Sequence, residues 1–142
     1  MFRKGRRLFS GASIGVAIIG LLHSIGHFAG PKESALQAVE AAMASYHMDM
    51  GLGFLPSLYE IFVSLSLTFS ILFWGIAAFN LVVASSDDVT PALLRKIAIV
   101  NAVVMGMLTG LYFYHRILPP FVTIAVVFVL FAIVAMRTPR SE

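Results

Sequence analysis

Four apolar stretches decide what this chain can become: Leu8 to Ala29, Ile61 to Ala84, Ile97 to Tyr114 and Ile117 to Met136. Each is at or near the roughly 20 helical residues needed to cross a hydrocarbon core of about 30 Å. The sequence therefore predicts an all-α integral membrane protein, a four-transmembrane-helix antiparallel bundle in one domain over residues 1–142. The expected spans are about 8–30, 57–85, 92–116 and 120–137. A short amphipathic helix, about 34–50, is expected between the first and second spans.

Composition agrees. With 59% hydrophobic and 12% charged residues and a mean hydropathy of +0.92, the chain is too apolar for an ordinary soluble domain. It has no cysteine, which excludes a disulfide framework, thiolate ligation of a metal and c-type haem attachment. Any metal must be held by nitrogen and oxygen. The basic start Arg3-Lys4-Gly5-Arg6-Arg7 resembles that of a signal peptide. The apolar run behind it, however, exceeds the usual 7–15 residues, contains two histidines and has no small-x-small site before Pro31, so a retained helix is expected.

The formal charge of +3 does not point to nucleic acid, because the basic residues sit at helix ends, where they orient the chain. Arg3, Lys4, Arg6, Arg7, Arg95, Lys96, Arg137 and Arg140 fall on one side of the expected bundle, and Lys32 and Arg116 on the other. The positive-inside rule then places both termini in the cytoplasm, as in a bacterial inner-membrane protein. The lipid bilayer is the expected surrounding, with a homo-oligomer or a larger membrane complex as partner.

This topology gathers His23, His27, His47 and His115 on the outer side, together with Glu33, Glu40, Asp49 and Glu60. His23 and His27 are four residues apart, so their imidazoles point the same way one helical turn apart. A zinc protease uses that spacing but also needs a glutamate after the first histidine, and Ser24 stands there. The pair lies roughly 4–10 Å below the outer end of the first helix, and Glu60 and His115 reach similar depth on the second and third. Ionisable groups within a span are costly and usually functional. The expectation is a metal site of His23, His27, Glu60 and His115, with His47 or Asp49 as further donors. Its nitrogen and oxygen ligands suit zinc, iron, manganese or copper.

Other uses of the same residues follow. Ser57-Leu58-Tyr59-Glu60 reads as a capping box, which employs Glu60 without any metal. A b-type haem would need His27 or His23 on one side and His115 on the other. The outer histidines and acids also suit a non-enzymatic proton sensor, or a partner subunit whose polar groups knit the bundle. No serine-nucleophile motif or phosphate loop indicates a particular reaction.

The remaining landmarks concern packing. Ser34-Ala35-Leu36-Gln37 reads as a second capping box, opening an apolar stripe of Leu36, Val39, Met43, Tyr46 and Met50. Thr90 and Pro91 read as N-cap and first helical residue. Gly11 and Gly15 form a G-x-x-x-G for close helix approach, and Asn101 is expected to bond between helices. His47 reads as a solvated loop residue.

Overall fold

The computed structural model describes residues 2–29 and 33–139, without the side chains of Phe2 and His27. Pro31, Lys32 and Arg140, named above, lie outside the described residues, as does Gly30. The described chain is all-helical, with α1 Phe2–Phe28, α2 Ser34–Ser45, α3 Leu58–Ser85, α4 Pro91–Tyr114 and α5 Leu118–Arg137. Four of these helices, α1, α3, α4 and α5, are long and apolar enough to cross a membrane.

The chain divides into two compact units. One comprises Met1–Ile19 with Phe73–Glu142, the other Gly20–Leu72. In the first unit, all four long helices contribute to one core, built on Phe9, Val16, Phe73, Leu94, Met105, Ile124, Phe131 and Val134. Phe9 meets Phe131 edge to face at 5.6 Å. Arg95 Nε donates to the Ala135 carbonyl at 3.0 Å, Gly106 lies against Phe128, and Phe113 meets Phe121, so α4 and α5 run in opposite directions. Trp74 Nε1 donates to the Ala17 carbonyl at 3.3 Å. Arg6 donates to the carbonyls of Ala84 and Ser86 at the end of α3, where a cation complements the helix dipole.

The helix ends follow local chemistry. Thr90 caps α4 by accepting from Leu93 N at 3.2 Å, with Pro91 opening the helix as expected. The α4–α5 turn lies two residues earlier than the sequence indicates, because α4 ends at Tyr114 and α5 starts at Leu118 rather than at residue 120. His115 ends α4, Arg116 adopts a left-handed φ of 57°, and Ile117 N returns to Tyr112 O at 3.0 Å. These bonds satisfy carbonyls that a helix C-terminus leaves over.

In the second unit, α2 differs from expectation at both ends. Its N-cap is Glu33, with no side-chain cap bond, and Ser34 is already helical, so Ser34 does not cap the helix. The helix stops at Ser45 instead of continuing to residue 50. From Tyr46 the chain turns into a short antiparallel ribbon, in which His47 bridges Ser57. Leu58 N bonds Tyr46 O at 2.8 Å, Met48 N bonds Pro56 O at 3.0 Å and Met50 N bonds Phe54 O at 3.0 Å. Its tip is Gly51-Leu52-Gly53, three consecutive residues with φ of 78°, 55° and 83°.

Candidate functional site

His23 is the histidine most closely held by its surroundings. It is half-buried on α1, and its Nε2 lies 2.9 Å from Ser66 Oγ on α3. A hydroxyl both donates and accepts, so the bond forms with either imidazole tautomer. The ring also meets Phe69 edge to face at 6.3 Å. Around this contact the buried groups are hydroxyls. Ser24 donates to Gly20 O at 3.1 Å, and Ser70, one turn beyond Ser66, buries an Oγ with no hydrogen-bond partner among the described residues. The polar residues of α3 divide between two faces. Ser64 and Thr68 are exposed, and the inward line is Ser66 and Ser70.

Glu60 is held elsewhere. Its Oε2 accepts from Ser57 N at 2.7 Å and from Ser57 Oγ at 3.0 Å, while Glu60 N donates to Ser57 Oγ at 3.2 Å. The capping box read from the sequence is therefore complete. Six residues separate Glu60 from Ser66, which places them about 120° apart around α3. The carboxylate thus shares neither the His23 face nor its partner, and it lies about 9 Å along the helix from the level of Ser66. Glu60 instead keeps company with His47, which sits across the ribbon from Ser57 and near enough for their charges to interact. His47 Nδ1 is 3.3 Å from Ser45 O, and Asp49 Oδ1 accepts from Gly51 N at 2.8 Å, bracing the tip.

The other two expected ligands add less. His115 is the exposed C-cap of α4, its ring against Tyr114 at 5.0 Å, and it belongs to the first unit. His27 lies on α1 one turn beyond His23, and its side chain is outside the described residues. Among the described residues, no three histidine, aspartate or glutamate side chains group closely enough to hold a metal ion. Spacing along a helix could not give the rotation of α3 that turns Ser66, rather than Glu60, toward His23.

The ribbon escaped the sequence reading, and its signal was present. Tyr46, Met48 and Met50 alternate with His47 and Asp49, a period of two, ahead of a Gly-x-Gly turn. Met50 also fits the helical period that starts at Leu36, and that coincidence extended the helix too far. The ribbon presents an apolar tip: Leu52 is 99% exposed and Phe54 68% exposed, with Met50 and Leu55 exposed beside them.

No protein family, curated protein or solved structure matches this chain.

Proposed function

We propose that this chain is a non-enzymatic subunit of a membrane complex: a four-helix antiparallel bundle in a bacterial inner membrane, with both termini cytoplasmic. The outer, histidine-bearing portion is completed by a second protein chain. The four long apolar helices and the placement of Arg and Lys at their ends support the insertion and its direction.

One observation carries the subunit reading. Among the described residues, Gly20–Leu72 buries the hydroxyl side chains of Ser24, Ser57 and Ser70 but not one apolar side chain. Lipid covers apolar residues within spans. It does not suit the ribbon, because a two-stranded ribbon has unpaired backbone groups on its outer edges and hydrocarbon cannot satisfy them. A protein partner can cover Met50, Leu52 and Phe54 and also meet those edges. A large exposed apolar patch beside polar groups is the usual mark of such a surface.

The test is a photo-crosslinking residue at position 52 in intact cells, with one at Asp87 as control. A discrete protein adduct at 52 and none at 87 is expected. Adducts with lipid alone would contradict the reading.

A second reading is favoured by the Ser66–His23 bond. Metal-binding histidines are oriented by a partner on the other ring nitrogen, and Ser66 is such a partner for His23. Under this reading His23 and His27 hold a divalent ion between their imidazoles. A b-type haem draws no comparable support, since His115 stands at a helix end and is exposed. Elemental analysis and a visible spectrum of purified protein distinguish these outcomes. Stoichiometric metal lost in His23→Gln/His27→Gln supports the metal site; metal-free protein with unchanged assembly removes it.

A further inference from the structure

The start of α1 carries a second site, unrelated to the histidines. A groove of about 560 Å³ opens there, lined by Arg3, Arg6, Arg7, Gly11 and Ile14 of α1 and by Ala84 of α3. Arg6 is fixed on the last carbonyls of α3. Arg3 and Arg7 are exposed, and being four residues apart they project from one side of the helix. The groove changes character along the helix axis, from guanidinium groups to the bare backbone of Gly11 and then to Ile14, about 10 Å from Arg7.

Gly11 is the telling residue. Its expected role was close helix packing, in partnership with Gly15. A Cβ at Gly15 would come within 2.9 Å of Val127 Cγ2, so Gly15 packs against α5. A Cβ at Gly11 would meet nothing within 4 Å. The glycine faces the groove and leaves room for a ligand along the helix.

We infer that this groove binds an anionic phospholipid, with the phosphodiester between Arg3 and Arg7 and an acyl chain laid over Gly11 and Ile14. The inference rests on the membrane reading above. Guanidinium groups match phosphate oxygens in charge and in their paired donors, and basic pockets at the cytoplasmic ends of spans suit such headgroups. Orientation of the chain requires only positive charge near the first span. It does not require an open trough leading from that charge along the apolar helix.

The experiment places the full chain in phosphatidylcholine nanodiscs, and in nanodiscs with part of that lipid replaced by phosphatidylglycerol, and measures retained lipid by native mass spectrometry. Two variants are compared with the parent. Arg3→Gln/Arg7→Gln removes the headgroup contacts, and Gly11→Leu fills the groove while keeping every charge. Preferential retention of phosphatidylglycerol by the parent is expected, with a loss of about tenfold in each variant. Retention unchanged in Gly11→Leu but lowered in the arginine variant would reveal surface attraction only and overturn the groove. Displacement of the lipid by inorganic phosphate would assign the arginines to a free anion instead, which also overturns it. A chain that does not enter nanodiscs overturns the membrane reading, whereas one that enters and retains both lipids equally overturns the lipid site alone.

Discussion

Asn80 and Asn101 exchange amide hydrogen bonds inside the core, Nδ2 to Oδ1 at 3.0 Å in one direction and 3.2 Å in the other. Both residues are buried, and Asn101 Nδ2 donates in addition to Ile97 O at 2.9 Å. Two amides that satisfy each other pin α3 to α4 at one register, because a shift of either helix would strand polar groups among Phe73, Ala77 and Ala98. Replacing one asparagine by leucine should destabilise the bundle by about 1 kcal/mol, and replacing both should cost less than the sum. A double-mutant cycle of unfolding in detergent measures the coupling; strictly additive costs would mean that the pair does not act as a unit.

The two glycines of the G-x-x-x-G should separate cleanly. Gly15→Ala forces a Cβ against Val127 Cγ2 and should destabilise by about 1–3 kcal/mol through overpacking. Gly11→Ala meets open space and should stabilise slightly, since alanine exceeds glycine in helix propensity by about 1 kcal/mol. Thermal unfolding of the two variants side by side checks the contrast.

Ser57→Ala removes the hydroxyl that both accepts from Glu60 N and donates to its carboxylate. Faster hydrogen exchange is expected at the first-turn amides of α3, with the amides beyond Ser70 unchanged. Glu60→Gln should disturb these amides less, because its side-chain oxygen can still accept from Ser57 N. Equal effects of the two substitutions would mean that the carboxylate has a partner beyond the cap.

Leu52 holds a left-handed φ of 55° while 99% exposed. Outside glycine, this conformation is best tolerated by asparagine and aspartate. Leu52→Asn should therefore stabilise the ribbon of the isolated chain by about 1 kcal/mol, read by hydrogen exchange at Met50 and Phe54. In membranes of its own cell the same substitution should weaken association, since the proposed partner covers the exposed leucine. A variant that stabilises the ribbon and leaves association intact would remove Leu52 from the interface.

The elements most legible in the sequence were those fixed by local rules. The four long apolar helices, the Thr90–Pro91 start of α4 and the Ser57–Glu60 box each depend on a few neighbouring residues, and each is present. Asn101 was expected to bond between helices and does, although its partner Asn80 stood unremarked within the apolar run of α3. What escaped reading depends on rotation about helix axes. Depth alone could not reveal that Ser66 rather than Glu60 meets His23, because about 120° of turn separates the two. Nor could a glycine spacing distinguish Gly15, packed on Val127, from Gly11, open to a groove. Ser34 fits a capping pattern, yet the chain enters α2 through an extended Glu33, which starts the helix one residue early for that cap.

The central claim is that a second protein chain covers the outer portion around Leu52. The most direct measurement is the mass of the particle taken from its own membranes in a lipid-retaining polymer, without detergent. A protein mass well above the 15.4 kDa of one chain is expected, falling toward that value when Leu52 and Phe54 are replaced together by asparagine and serine. A particle of one chain alone, of unchanged mass in the double variant, would contradict it.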